Sequence, residues 1–237
     1  MPPRFYCAEF SARNAVIAGD ELHHLRDVRR LGVGDAVELF DGKGRLAECS
    51  VRHIDRRGAE FQVHRVTEVA APRGGLALAT AMPKGGRMDW LVEKVTELGI
   101  VALWPLVTER GAVSAPGDEK QRGWHRRAVE AAKQCRRLWL PEILQPMSVA
   151  DAIAQVNAHP PDLVLLADLS ADARAAGQYR GEGVSAIVGF VGPEGGFTDE
   201  ERASLRAAGA RPVRLASNVL RIETAAVALA AVLAPDG

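Results

Sequence analysis

Two stretches near the carboxyl end carry residue types and spacings that could do chemistry. In Val191-Gly-Pro-Glu-Gly-Gly-Phe197, three glycines fall within five residues. Such a backbone can adopt positive φ and approach a ligand closely. Glu194 sits inside the loop and would repel a phosphate, so a neutral or cationic ligand suits it better. The loop also lacks the Gly-Lys-Ser/Thr ending of a phosphate-binding loop. It does not have the GxGxxG spacing of a dinucleotide fold, whose fingerprint would stand on the first strand. The same residues also fit a plain glycine-rich turn. The second stretch is Leu215-Ala-Ser-Asn-Val-Leu-Arg-Ile-Glu-Thr-Ala225. Arg221, Glu223 and Thr224 are polar groups at the mouth of an otherwise apolar element, where Glu223 and Thr224 could also simply cap a helix.

Basic residues form further groups. In Pro83-Lys84-Gly85-Gly86-Arg87-Met88-Asp89, Lys84 and Arg87 could hold phosphates, or could be exposed charges at a helix start. Gln134-Cys135-Arg136-Arg137 ends a basic segment, where cations suit a helix C-terminus. Arg4, His23, His24, Arg26, Arg29 and Arg30 cluster near the amino end. On a helix, Arg26, Arg29 and Arg30 share a face, which also reads as a solvated surface. His23 and His24 are adjacent and would point apart, so no shared metal is expected.

The elements that must position these groups can be read from periodicity. Residues 1–70 are expected to form a small β-rich unit: a helix over 20–31, a strand over 35–40, a hairpin turn at Asp41-Gly-Lys-Gly44, and strands over 45–54 and 59–66. Short strands around tight turns suggest a small barrel. A linker is expected at 69–75, and a second domain over 71–237. There, strands are expected at 76–82, 100–107 (an edge, because of Pro105), 162–167, 187–191 and 212–215. Helices are expected at 88–98, 123–138, 148–156, from Thr198 to Gly209, and through Ala231. Thr198-Asp-Glu-Glu201 reads as a capping box. Alternating strands and helices call for an α/β fold with a mainly parallel sheet covered on both faces.

Composition narrows the class. The chain has 237 residues, 47% hydrophobic and 25% charged, with a formal net charge of zero. That suits one large or two modest globular domains and argues against a histone-like binder, while leaving room for local basic patches. Cys7, Cys49 and Cys135 are widely spaced with no CxxC, so neither a disulfide framework nor a zinc module is indicated. No signal-peptide core and no membrane-spanning apolar run are visible, which makes the cytoplasm the expected compartment.

Taken together, the motifs resemble a known family. Pro83-Lys84-Gly85, Met88-Asp89, Glu93-Lys94, Glu97-Leu98-Gly99, Gln134-Cys135 with Arg137, Val191 to Phe197, and Leu220-Arg221 with Glu223-Thr224-Ala225 occur in one order. So do His23-His24-Leu25, Val28, Arg30-Leu31 and Phe40-Asp41-Gly42-Lys43-Gly44. The chain resembles, over almost its whole length, the 16S rRNA (uracil-N3)-methyltransferases of the SPOUT superfamily of S-adenosylmethionine-dependent RNA methyltransferases. The resemblance implies a PUA-like RNA-binding β-barrel over 1–70, a SPOUT domain with a deep trefoil knot over 71–237, a homodimer, and 16S rRNA within the small ribosomal subunit as substrate. It implies S-adenosylmethionine held against three loops: Leu166 and Ala167; Gly192, Pro193, Glu194, Gly195 and Gly196; and Leu215, Ser217, Leu220 and Thr224. Ala216 and Asn218 stand where family members commonly have Gly and Arg, and Gly111 and Arg136 where Ser and Gly are common.

For such an enzyme, uracil N3 must lose its proton before it attacks a methyl group, and negative charge must be stabilised on the ring. Arg221 is expected to stabilise that charge or position the base. Glu223, or a water linked to bulk, is expected to take the proton. The base must be unpaired or flipped out. Lys84, Arg87, Arg110 and the Arg26/Arg29/Arg30 face are expected to grip the RNA backbone, with Arg4, His23 and His24 beside them. Two other readings stay open: ribose 2′-O methylation, and a non-catalytic rRNA-binding assembly factor.

Overall fold

A computed structural model describes residues 1–111, 117–179 and 184–234. The chain divides into two compact units, Met1–Ala71 with Ala132–Leu140, and Pro72–Ala131 with Pro141–Gly237.

The first unit contains β1 (Arg4–Tyr6), β2 (Asn14–Ile17), α1 (Gly19–His23), β3 (Ala36–Phe40), β4 (Arg45–Ile54) and β5 (Ala59–Glu68). The sheet runs β1-β3-β4-β5-β2, antiparallel except for the β1–β3 pair. Burial alternates along the first residues of β5, so inward side chains such as Phe61 join Phe5, Leu25 and Leu39 in one core. Register shifts at Glu48/Cys49 and Val51/His53 interrupt the β4–β5 ladder, and such bulges bend and twist a strand. At the β3–β4 turn, Asp41 is buried and its Oδ1 accepts from the backbone N–H groups of Lys43 (2.7 Å) and Arg45 (3.0 Å). Gly42 and Gly44 take the positive φ values, 72° and 94°, that the turn requires.

One element differs from expectation here. The helix at 20–31 is α-helical only over Gly19–His23 and continues as a π-helical turn over His24–Val28. The Arg29 N–H bonds the His24 carbonyl, and Arg30 turns left-handed at φ 55°. A wider turn and an early stop remove the i, i+3, i+4 spacing, so Arg26, Arg29 and Arg30 do not form one helical face.

The second unit begins with β6 (Gly75–Ala81), α2 (Arg87–Glu97) and β7 (Ala102–Val107). Next is α3 (Asp118–Cys135), whose last residues belong to the first unit. Then follow β8 (Glu142–Ile143), β9 (Met147–Ser148), α4 (Val149–Ala158), β10 (Leu163–Ala167) and β11 (Arg174–Ala175). The chain closes with β12 (Ala186–Val191), α5 (Asp199–Ala207), β13 (Arg211–Arg214) and α6 (Ile222–Leu233). Among the described residues the sheet is wholly parallel, in the order β11-β13-β10-β12-β6-β7-β8, with β9 also on β7. The expected α/β class and parallel sheet are therefore present. Ala77, Ala79, Val164, Leu166, Val188 and Phe190 pack with α4 and α5 residues in one cluster. On β12, Gly189 lets α6 come close: a Cβ there would lie 2.5 Å from Leu229 Cδ2.

Two expectations in this unit need correction. β7 is not an edge strand; Pro105 falls between its pairing to β8 through Ala102 and Leu103 and to β9 through Leu106 and Val107. A proline is tolerated there because the outer ladder is interrupted at that point. The basic helix starts at Asp118 rather than 123 and stops at Cys135, because Arg136 is left-handed at φ 62°.

Candidate functional site

Strands β13, β10 and β12 are neighbours and parallel, so the loops leaving Ala167, Val191 and Arg214 emerge at the same edge of the sheet. Open α/β sheets place ligands outside such carboxyl ends. A cleft of about 260 Å³ lies there, lined by the three loops. Of the donor-site residues expected from sequence, Leu166, Ala167, Gly192, Pro193, Glu194, Gly195, Gly196, Leu215 and Leu220 line it; Ser217 and Thr224 do not. Both are exposed, with Thr224 on the third residue of α6.

The three loop glycines have different reasons to be there. Gly196 is left-handed at φ 70°, and its N–H closes a turn on the Pro193 carbonyl at 2.8 Å. Gly192 has no positive φ; a Cβ there would lie 2.9 Å from the ring of buried Phe197. Gly195 shows neither constraint. The loop is closed by the capping box: the Thr198 hydroxyl accepts from Glu201 N–H at 3.1 Å and Glu201 accepts from Thr198 N–H at 2.9 Å. Arg110 Nη1 donates to the Gly195 carbonyl at 3.1 Å, and Arg202 Nη2 donates to the Phe197 carbonyl at 3.3 Å. Arg110, expected as an RNA contact, thus braces the loop.

Asp168 and Arg202 line the cleft, and sequence reading did not single them out. Their side chains pair at 3.3 Å, and Asp168 also accepts from the N–H groups of Leu169 and Ser170. Asp168 follows directly on β10, and a polar residue at a strand's carboxyl end was the available signal. Arg202 lies on α5 behind the capping box, with no sequence pattern that points to it.

The two expected catalytic residues, Arg221 and Glu223, do not line the cleft. Glu223 is 7% exposed, its Oε1 lies 3.4 Å from Arg87 Nη1, and its buried Oε2 has no hydrogen-bond partner among the described residues. Arg87 Nη1 also lies 3.7 Å from Glu194 Oε1. Arg221, at the N-cap of α6, is exposed and makes no side-chain cap bond. Glu223 and Thr224 lie inside the helix rather than capping it.

The remaining basic residues separate. Lys84 is exposed. The Arg4 side chain is only 7% exposed, with Nε donating to Glu38 at 3.0 Å and Nη1 to the Arg136 carbonyl at 2.7 Å. A guanidinium so committed is a structural pair, not a free phosphate contact. His23 and Arg26 both pair with Asp27, whose carboxyl is held down to about 2, first by the Arg26 hydrogen bond. His24 lies edge-on to the Phe5 ring. Arg29 and Arg30 are exposed. Arg56 and Arg57 are exposed at the β4–β5 turn, where Arg26 Nη1 reaches the neighbouring Asp55 carbonyl at 3.5 Å.

The cleft therefore offers apolar walls, a glycine cradle for close approach, and the Glu194 carboxylate, while Asp168 is paired with Arg202. Among the described residues no lysine lines it. That chemistry suits a ligand with a flat apolar part and a positive charge near Glu194. Among the described residues no group of three His, Cys, Asp or Glu is placed to hold a metal, and no helix is long and apolar enough to cross a membrane.

Comparison with known proteins agrees with the geometry. The profile of an RNA methyltransferase domain matches residues 71–234, and that of an RNA methyltransferase PUA domain matches residues 17–63. The Ribosomal RNA small subunit methyltransferase E of Synechocystis sp. is 35% identical over 215 residues, covering 89% of this chain and 69% of that protein. The protein of the same name from Mycobacterium bovis is 36% identical over 229 residues, covering 92% and 85%. A crystal structure of the Neisseria gonorrhoeae Ribosomal RNA small subunit methyltransferase E bound to S-adenosyl methionine has a TM-score of 0.85 at 28% identity, covering 98% of this chain and 96% of that one.

Proposed function

This chain belongs to the RNA methyltransferase family whose domain it carries over residues 71–234, and from that membership we propose that it methylates N3 of a uridine in small-subunit (16S) ribosomal RNA, with S-adenosylmethionine as donor. In this proposal residues 1–70 are the PUA-like RNA-binding domain and residues 71–237 the methyltransferase domain. The single observation that carries it is the cleft at the ends of β10, β12 and β13, with its glycine cradle and Glu194.

When bound, the donor supplies an electrophilic methyl group on a sulfonium cation. Gly192 admits it close to the backbone, and Glu194 offers a counter-charge. Leu166, Leu215 and Leu220 give apolar contact to a flat ring, while backbone groups of Ala167, Pro193, Gly195 and Gly196 supply hydrogen bonds. Ser217, exposed on the third loop, and Thr224, exposed in the first turn of α6, stand off the cleft wall. Glu223, or a water linked to bulk, takes the N3 proton; Glu223 stands behind the cleft wall with its second oxygen buried. Arg221, exposed beside it in sequence, stabilises the negative charge on the uracil ring or positions the base. Lys84, Arg29 and Arg30 are exposed cations suited to the RNA backbone.

The enzyme acts in the cytoplasm as a homodimer on RNA within the small ribosomal subunit. Exposed Trp90 and Val219 on the second unit are apolar groups that a partner copy would cover. The test is incubation of the protein with unmodified small ribosomal subunits and labelled donor, followed by nucleoside mass spectrometry. Label in 3-methyluridine is expected. Label in a 2′-O-methyl nucleoside, or none, would contradict the proposal.

A further inference from the structure

Arg87 opens α2, and its guanidinium lies between two carboxylates distant in sequence. Nη1 is 3.4 Å from Glu223 Oε1 and 3.7 Å from Glu194 Oε1. Nε donates to the Lys84 carbonyl at 3.2 Å, which fixes the side chain against its own turn. The two acids belong to different parts of the site. Glu194 stands in the glycine loop that lines the cleft, and Glu223 stands in the first turn of α6.

Glu223 is the more constrained partner. Its side chain is 9% exposed, and its second oxygen is buried without a hydrogen bond. A buried acceptor left unsatisfied is costly, more so when charged, and an exception of this kind in a folded protein calls for a functional reason. If Arg87 left to grip a phosphate, both oxygens of Glu223 would be unpaired, and removing one partner of a buried pair is strongly destabilising.

We infer that Arg87 is a positioning residue for methyl transfer: it holds Glu223 through Oε1 and Glu194 beside it, and so ties the glycine loop to the head of α6. This rests on the proposed reading of the cleft as donor site and of Glu223 as proton acceptor. It replaces the expectation that Arg87 contacts RNA phosphate. Both acids approach the same nitrogen, Nη1, while Nε is held by the Lys84 carbonyl; a lysine ammonium keeps the charge but has no second nitrogen to anchor it this way.

The experiment compares Arg87→Ala, Arg87→Lys, Glu194→Gln and the Arg87→Ala/Glu194→Gln double variant with the wild type. Binding of S-adenosylhomocysteine is measured by calorimetry, RNA binding as a function of salt, and turnover at saturating donor. For Arg87→Ala, kcat is expected to fall about a hundredfold. RNA affinity and its salt slope should stay unchanged, and Arg87→Lys should recover part of kcat. On S-adenosylhomocysteine affinity the two single substitutions should be non-additive by about threefold or more, as expected for residues in contact. A salt slope lower by about 0.7–0.9 with kcat unchanged would make Arg87 a phosphate contact and overturn the inference. Strict additivity on S-adenosylhomocysteine affinity would overturn the tie to the glycine loop. If Arg87→Ala does not fold, Arg87→Lys and Glu194→Gln carry the same comparisons. A wild type that binds S-adenosylhomocysteine but methylates no RNA would defeat the proposed function; the calorimetric cycle would still decide whether Arg87 holds the loop.

Discussion

Arg221 and Glu223 are two residues apart, yet the structure gives them opposite environments: one exposed at the N-cap of α6, the other nine-tenths buried. Their roles should separate in the same way. Arg221→Ala removes no packing, so the protein should fold and keep much of its affinity for S-adenosylhomocysteine. Methylation should fall by about 10²–10³, and turnover at the wild-type rate would remove Arg221 from the mechanism. A pH effect also belongs at this scale. The Asp27 carboxyl is lowered to about 2, first by the Arg26 hydrogen bond, with lesser help from His23. A depressed folded-state pKa means its stabilisation is present above the unfolded value of about 3.9 and is lost as pH falls through the folded value. Asp27→Asn should therefore cost stability at pH 7 and nothing below about pH 2; an NMR titration of Asp27 with a midpoint near 4 would contradict the pairing. Residue identity was the most legible layer of the sequence. The Gly-Pro-Glu-Gly-Gly loop announces close approach by composition alone. Arg4 could not be read that way, because its partner Glu38 and the Arg136 carbonyl are brought to it only by the fold.

Elements with a full apolar stripe or a local cap were legible, and those ended by a single backbone conformation were not. α2 shows its 3.6-residue period in Met88, Leu91, Val92 and Val95, all buried, and α5 shows its capping box. By contrast, nothing in the residue types of His24–Val28 distinguishes a π turn from an α turn, and Arg30 and Arg136 are left-handed without being glycine. Pro105 misled because proline normally marks an edge strand; two short strands, β8 and β9, share that side of β7 and leave a gap at the proline. Gly189 is a test of the element packing. A Cβ there would lie 2.5 Å from Leu229 Cδ2 of α6, so Gly189→Ala should cost about 1–3 kcal/mol in urea unfolding. An unchanged midpoint would mean that α6 does not press on β12 as described.

At the scale of the whole molecule, alternation of strands and helices pointed to a parallel sheet, but not to its order. β13 lies beside β10, and β12 lies between β10 and β6, an order set by long-range packing rather than by any local pattern. For the same reason the cleft was legible only as three separate loops, and Asp168 and Arg202, which join two of them, were not. Net charge is equally uninformative, because zero overall conceals both paired and exposed arginines. RNA binding should reveal the difference. Replacing exposed Arg29 and Arg30 with Ala should lower the slope of log affinity against log salt by about 1.4–1.8. Arg4→Met should leave that slope alone while lowering stability. Equal slopes for all three proteins would take the phosphate contacts away from this part of the chain.

The most direct measurement is a crystal structure of this protein with S-adenosylhomocysteine. Density lying between Leu166–Ala167, Gly192–Gly196 and Leu215–Leu220, against the face where Gly192 lacks a Cβ, is the expected result. The compound bound elsewhere, with this cleft empty at saturating concentration, would contradict a methyl-donor site at the ends of β10, β12 and β13.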